Sequence, residues 1–198
     1  PSPHRLLLTT RLSYAVGDLG LNVDWQGVGL FLFFFYTDIL GIPAYWAGVT
    51  ILIASLWDAV TDIFIAGLAD RTDTSLGRYR PYLLVTPPLL AIAFCAMFYV
   101  PSAFSDTSLI AYALATHLIF RTLYTFYAIP YSSLSVRVAI ESASRSLLAS
   151  TRMQAAAIGG LTTAVATPVI VARFTEWSGD SRLGWLWAAA VMAITATM

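Results

Sequence analysis

The sequence predicts an all-α integral membrane protein. Of its 198 residues, 58% are hydrophobic and only 11% are charged, whereas a soluble globular chain carries about 25% charged residues. Such a chain cannot cover a surface that faces water, so we expect a lipid bilayer to surround most of it. Its eleven basic residues, all arginine, balance eleven acidic ones, and this neutrality gives no reason to expect a nucleic-acid partner.

Six apolar segments make up most of the chain. A helix that spans a bilayer needs about 20 mostly apolar residues, and the first five segments are close to that length or exceed it. The sixth is too short to span, and the chain begins without Met, so we expect a fragment of a longer protein. The predicted helices cover residues 12–36, 44–69, 82–100, 108–131, 147–172 and 184–198.

Proline and glycine mark the joints between these segments. The joints contain "GIP" at residues 41–43, "RYRP" at 78–81 and "VPS" at 100–102, which are typical of turns. Pro87 and Pro88 fall inside the third predicted helix. Membrane helices tolerate such prolines where neighbouring helices satisfy the freed carbonyl groups.

The arginines predict an orientation. Eight of them lie at the N-terminus and at alternate joints, against Arg173 and Arg182 on the other side, while Arg121 lies inside the fourth helix. Because cytoplasmic loops are rich in Arg and Lys, we expect a cytoplasmic N-terminus. No signal-peptide pattern is present, and the predicted location is the plasma membrane, crossed several times.

The second predicted helix carries an acid pair. Asp58 and Asp62 are the only charged residues between Trp46 and Ala69, and their spacing of four places them on one helix face, about 6 Å apart. A carboxylate at the bilayer centre costs about 2.5 kcal/mol or more. The pair therefore shares protons or holds a hard cation such as Na⁺, or it pairs with an arginine from another helix; we favour the cation site.

The first helix carries a polar stripe that suits a water-lined interior. Asp18, Asn22, Trp25 and Gly29 follow each other at helical spacing. Asp24 points elsewhere, and the sequence assigns it no role beyond a contact between helices.

The fourth helix carries a second stripe around a single arginine. His117, Arg121, Tyr124, Thr125 and Ala128 lie along it. Arg121 is either an internal counter-ion for an aspartate of another helix or an anchor for an anionic solute, because its planar fork suits carboxylate or phosphate. His117 is expected to be a hydrogen-bonded packing residue rather than a proton relay.

Nothing in the sequence predicts catalysis. It contains no nucleophile elbow and no phosphate-binding loop, and Cys95 lies in an apolar run as expected of a small core residue. We expect neither enzymatic activity nor a cofactor.

Several motifs resemble one transporter family, in order along the chain. They are "RLSYAVGDLGLN" at 11–22, "FFYTDILGI" at 34–42, "WDAVTD" at 57–62, "GLADRTDTSLGRYRPYLL" at 67–84 and "YTFYAIPYSSL" at 124–134. They are similar to the glycoside–pentoside–hexuronide:cation symporters, the melibiose-permease branch of the major facilitator superfamily. The resemblance implies the six-helix N-terminal half of a twelve-helix fold, with the sixth helix truncated here and a C-terminal half as partner.

The resemblance also implies roles for individual residues. It implies cation binding by Asp58, Asp62 and Thr125, with Na⁺ or H⁺ as the coupling ion, and we include Thr61 because it stands next to this site. The resemblance also implies a sugar contact for Arg152, and from the polar stripes of the first and fourth helices we further predict solute contacts for Asp18, Asn22, Arg121, Tyr124 and Ala128. A gating loop that latches the two halves comprises Asp70, Arg71, Gly77, Arg78 and Arg80; its arginines also fit plain topology signals.

The chain departs from the melibiose pattern at four positions. Melibiose transporters carry acids where Asn22 and Ala128 stand, an Asn at Thr61 and a Trp at Ser132. The galactoside contacts are thus largely missing, and the volume left by Ala128 beside Arg121 favours an acidic or bulkier solute such as a hexuronide.

The implied function is cation-coupled symport of a sugar, glycoside or hexuronide by alternating access in a bacterial inner membrane. The alternatives are a carrier of lipids or other organic anions with the same fold, and a membrane sensor or scaffold that transports nothing.

Overall fold

Six α-helices form the structure, a computed structural model that describes residues 8–100, 104–138 and 142–197. The helices are α1 (Leu8–Phe34), α2 (Ala44–Arg71), α3 (Arg80–Met97), α4 (Asp106–Val138), α5 (Ser142–Ser178) and α6 (Ser181–Thr197). Arg5, the "PS" of the third joint and Met198 lie outside the described residues. Within these ranges the fold is the predicted all-α bundle.

Four helices, α2 to α5, are long and apolar enough to cross a membrane. In a bilayer every backbone polar group must be satisfied within the protein, which a helix does internally. α1 matches them in length, but its apolar run is broken by Arg11, Asp18 and Asp24. It therefore packs against other helices rather than presenting all its faces to lipid.

The ends of the helices follow local backbone chemistry. α1 passes into one π-helical turn, Phe35–Ile39, and Gly41 then adopts a φ of +72°, which L side chains rarely adopt. Pro43 caps the start of α2, and Pro81 lies in the first turn of α3, where a missing N–H costs nothing. The glycines and prolines of the predicted joints thus end and begin helices as expected.

Two helices, α4 and α5, are much longer than the segments predicted from hydropathy. α4 continues seven residues past Tyr131, and α5 begins five residues before Leu147. The added turns, "SSLSVRV" and "SASRS", are polar. Apolar runs mark only the part of a helix inside lipid, whereas backbone hydrogen bonding continues into water. At 1.5 Å per residue, the 37 residues of α5 extend about 55 Å, well beyond the hydrocarbon core of about 30 Å.

The third helix ends earlier than predicted. The segment was expected to reach Val100, but α3 ends at Met97 and the next two residues form tight turns. Because Pro101 follows, the residue before it is disfavoured in a helical conformation.

The helices pair in a definite order. α1 packs chiefly on α5, α2 on α4, and α3 on α4 and α6, while α1 and α2 hardly touch. An aromatic core joins α1, α3, α4 and α6 through Phe35, Phe94, Phe98, Phe120 and Trp185. α1 and α5 approach so closely at Gly159 that a Cβ there would lie 2.7 Å from the carbonyl oxygen of Leu19. Small residues at such contacts are typical of membrane helices.

Candidate functional site

The two aspartates of α2 face one hydroxyl of α4. The Oγ1 of Thr125 lies 3.2 Å from Oδ1 of Asp58 and 3.0 Å from Oδ1 of Asp62. A hydroxyl has one proton to donate, so it satisfies one carboxylate at a time. The i, i+4 spacing therefore does place both carboxylates within reach of a single small ligand.

Arg121 pairs with one member of the acid pair. Its Nη1 donates to Oδ2 of Asp58 at 3.0 Å, and the two side chains are only 11% and 21% exposed. The structure thus has the counter-ion arrangement that the sequence left open, with Asp58 as the partner. Within the described residues no arginine pairs with Asp62, so the guanidinium neutralises one of the two acids.

Two further side chains position Arg121. Its guanidinium carbon lies 4.5 Å from the centre of the Trp25 ring, a cation–π contact between α4 and α1. Its Nε donates to Nε2 of His117 at 3.4 Å. His117 is fully buried, and to accept from Arg121 it must be neutral with its proton on Nδ1, an atom that has no hydrogen-bond partner among the described residues. This fits the predicted packing role of His117.

A cavity of about 380 Å³ lies beside the acid pair. Its volume is within the range of small-molecule pockets. Trp25, Asp58, Asp62, Tyr124 and Thr125 contribute to its wall, and the rings of Trp25 and Tyr124 lie 4.9 Å apart. The small side chain of Ala128 also lines it, together with Ile129, Ser132 and Ser133.

Thr61 lies outside this wall. Its hydroxyl donates to the carbonyl oxygens of Trp57 and Asp58, at 3.0 and 3.1 Å, within its own helix. Its predicted role at the cation stays a prediction.

The donor set of the acid pair suits a hard cation. Two carboxylates and one hydroxyl supply oxygen ligands, which hard metal ions prefer, and a carboxylate can instead take up a proton. In the described ranges no group of three or more His, Cys, Asp or Glu side chains could hold a metal ion. The site thus provides part of an oxygen shell and nothing that favours a soft metal.

Three residues predicted to contact solute form a second cluster. Arg152 of α5 binds both carboxylate oxygens of Asp18 of α1, with Nη2 to Oδ1 at 3.1 Å and a very short contact from Nε to Oδ2. Its Nη1 donates to Ser135 at 2.8 Å, and Tyr131 donates to Asp18 at 3.2 Å. Asn22 donates to the Asp18 carbonyl oxygen. None of the three lines the cavity, so their solute contacts stay a prediction.

The predicted gating loop joins α2 to α3 and contacts α4 through hydrogen bonds. Asp70, next to the end of α2, accepts a hydrogen bond of 2.8 Å from Tyr79, and Arg137 of α4 donates to the same hydroxyl at 3.3 Å. Gly77 turns the chain with a φ of +90°. The other three loop residues, Arg71, Arg78 and Arg80, are exposed.

Sequence reasoning missed three residues. Tyr79 donates to Asp70 and accepts from Arg137, but nothing in their spacing pairs a loop with the end of α4. Asp24 is 1% exposed, and neither carboxylate oxygen has a hydrogen-bond partner among the described residues. The small neighbours Gly20 and Gly27, at i−4 and i+3, were a signal that Asp24 lies on a packed face.

Comparisons with known proteins agree with this architecture. A family model described as MFS/sugar transport protein matches residues 13–198. The chain is 31% identical over 192 residues to the putative glycoside/cation symporter YagG of Escherichia coli, covering 96% of this chain and 41% of that protein. It is 32% identical to the glucuronide carrier protein homolog of E. coli, covering 75% and 33%.

A third relative extends the range of named solutes. The sodium-dependent lysophosphatidylcholine symporter 1 of Xenopus tropicalis is 27% identical over 79% of this chain and 30% of its own length. The chain therefore spans at most about two fifths of the length of these relatives. Four helices of the chain are long and apolar enough to cross a membrane, and the relatives are named as symporters or as a carrier. The family model covers nearly the whole sequence, so this chain belongs to the MFS/sugar transport protein family.

Proposed function

We propose that the full-length protein is a secondary active transporter that couples the movement of a cation to the uptake of a sugar, glycoside or hexuronide. One observation carries the proposal: Thr125 bridges Asp58 and Asp62 in the wall of a cavity of about 380 Å³. Two carboxylates near the middle of a membrane helix are costly unless positive charge accompanies them, and among the described residues an arginine pairs with Asp58 but none pairs with Asp62. The names of YagG and of the sodium-dependent relative support ion coupling.

The proposed cation site consists of Asp58, Asp62 and Thr125, with Thr61 behind them. A bound Na⁺ or H⁺ reduces the repulsion between the two acids and draws α2 toward α4. Solute then binds beside neutralised carboxylates, which costs less than binding beside bare ones. Each ligand thereby raises the affinity for the other, and linkage makes the effect reciprocal.

The proposed solute site is the cavity itself. Trp25 and Tyr124 offer aromatic faces on which a sugar ring can lie, and Ala128 leaves room. The cavity lies on this half of the fold, and we propose that a C-terminal half of six helices completes it near the middle of the membrane.

We further propose that the loop regulates access to the cavity. In this proposal the N-terminus is cytoplasmic and the loop latches that side. The contacts of Tyr79 with Asp70 and Arg137 supply polar links that such a latch could break and remake. Replacing Asp70 with Asn is expected to slow transport more than it reduces membrane insertion; equal losses would favour a topological role alone.

Ion-coupled flux in vesicles tests the proposed function. Full-length protein is reconstituted, and solute-dependent Na⁺ or H⁺ entry is measured for the wild type, Asp58→Cys and Asp38→Cys. Asp38 provides the matched control, because its carboxylate accepts a hydrogen bond from the neighbouring Thr37 and lies outside the site. We expect Asp58→Cys to abolish coupled flux and Asp38→Cys to retain it. Solute accumulation without any ion gradient would contradict the proposal.

A lipid carrier is the second candidate, favoured by the relative named for lysophosphatidylcholine. Competition separates the two: excess glycoside or excess lysophosphatidylcholine is added during uptake of a labelled glycoside. Strong inhibition by the lipid, with none by sugars, would favour the lipid carrier.

A further inference from the structure

We propose that Arg121 is a tethered cation that holds Asp58 until the coupling ion displaces it, and that the displaced guanidinium then binds an anionic group of the solute. This inference rests on the proposed symport function and names both its solute class and its means of coupling. One positive side chain would serve two alternative partners, the carboxylate of Asp58 and an anion in the cavity.

Side chains of α4 already contact both members of the acid pair. Arg121 donates to Oδ2 of Asp58, and the hydroxyl of Thr125 lies within hydrogen-bond distance of Oδ1 of Asp58 and of Asp62, donating to one of them at a time. A cation that binds between both acids must therefore compete with the guanidinium for Asp58. Arg121 thus weakens binding of the ion in the absence of solute.

The guanidinium of Arg121 contacts two side chains of the cavity wall. It stacks on Trp25 and binds Asp58, and both of these residues line the cavity. A rotation of its last torsion angles carries the Nη atoms from Asp58 toward the cavity, while the face of Trp25 still stabilises the charge. His117 holds Nε, and so it acts as the pivot of that rotation.

Among the described residues, the wall of the cavity carries negative but no positive charge. The nine residues that line the cavity are acidic or uncharged. An anion entering it meets two carboxylates unless Arg121 turns toward it. Carboxylate is the group best matched to the bidentate fork of a guanidinium, so a hexuronide fits better than a neutral glycoside.

The binding of the cation and the binding of the anion are coupled because either ligand alone leaves one charged side chain without its partner. If the cation binds alone, the guanidinium loses its carboxylate; if the anion binds alone, Asp58 loses its arginine. A mostly buried charge without a partner is costly. Binding both ligands leaves every charge paired, so each ligand promotes the other.

Ion binding without solute tests the competition. NaCl is titrated calorimetrically into the full-length protein, and proton release is followed in parallel in unbuffered solution. The variants are Arg121→Gln, Arg121→Lys and Arg173→Gln; Arg173 is a matched control for charge, being 80% exposed and paired with Glu176. We expect Arg121→Gln to bind the ion about tenfold more tightly, a typical coupling, with Arg121→Lys and Arg173→Gln near the wild type.

A matched pair of solutes tests the second half of the proposal. p-Nitrophenyl β-D-glucuronide and p-nitrophenyl β-D-glucoside differ in one carboxylate. We expect the glucuronide to tighten ion binding by the wild type at least fivefold, the glucoside to change it little, and Arg121→Gln to lose the effect. An equal effect of both solutes would overturn the assignment of Arg121 to an anion.

Asp62→Asn distinguishes this inference from the proposed function. If ion binding depends on Asp62 but is unchanged or weaker in Arg121→Gln, the tethered cation is refuted and the symporter proposal survives. If neither the wild type nor Asp62→Asn binds Na⁺ or releases protons, both proposals fall together.

Discussion

Removing Arg152 should destabilise the protein more than removing its partner Asp18. The pair joins α5 to α1 through two contacts, and Ser135 and Tyr131 add hydrogen bonds. The Asp18 side chain is 10% exposed and that of Arg152 is 24% exposed. Replacing one partner leaves the other as an unpaired charge, so the cost depends on how deeply the remaining side chain is buried.

The exposed fractions of the Asp18 and Arg152 side chains determine how much stability each variant loses. Breaking a buried ion pair from one side typically costs about 3–5 kcal/mol. Arg152→Gln strands the more buried carboxylate, and we expect a loss of about 3 kcal/mol. Asp18→Asn strands a guanidinium that reaches solvent more readily, and we expect about 2 kcal/mol. The double variant, which strands no charge, should cost about 2 kcal/mol less than the sum of the single losses.

Thermal unfolding of the full-length protein in detergent measures this cycle. The fraction that remains monodisperse after heating gives a melting temperature for each variant. Arg173→Gln serves as the exposed control and should change stability little, because its ion pair with Glu176 is solvated. Additive losses, or a larger loss for Asp18→Asn than for Arg152→Gln, would refute the reasoning from burial.

Three further changes probe other parts of the bundle. Gly159→Ala forces a Cβ to within 2.7 Å of a backbone oxygen of α1 and should cost about 1–3 kcal/mol in thermal unfolding, whereas Gly67→Ala, with nothing within 4 Å, should be neutral or stabilising. Asp24→Asn removes a buried carboxyl group that lacks partners among the described residues, so we expect an equal or higher melting temperature; a clear drop would disprove this. Thr125→Val removes the bridging hydroxyl and should weaken ion binding about tenfold in calorimetry, and unaltered binding would count against the site.

The fold could be predicted from the sequence because a helix that crosses a bilayer needs about 20 mostly apolar residues. Apolar runs near 20 residues, with glycine and proline between them, were enough to predict the helices, and the family match confirms the architecture. The polar extensions of α4 and α5 were missed because hydropathy marks where a helix leaves lipid, not where its hydrogen bonds end.

The site was only partly predictable. The acid pair could be identified because helical spacing alone places Asp58 and Asp62 on one face. The partner of Arg121 could not be chosen among the aspartates, since that choice depends on the depth and rotation of α4 relative to its neighbours. These are tertiary quantities that no local pattern encodes. The same reason left Asp24 without a role, although its small neighbours indicated close packing.

The overshoot of α5 makes it a mechanical lever. A rigid rod about 55 Å long that pivots near one end moves its far tip by about 10 Å for a tilt of only 10°. A tilt of α5 about its C-terminal end would therefore move most the region where α4 ends and α5 begins. A pair of spectroscopic labels on these two helix ends would report such a tilt through a larger change in distance than labels near the cavity.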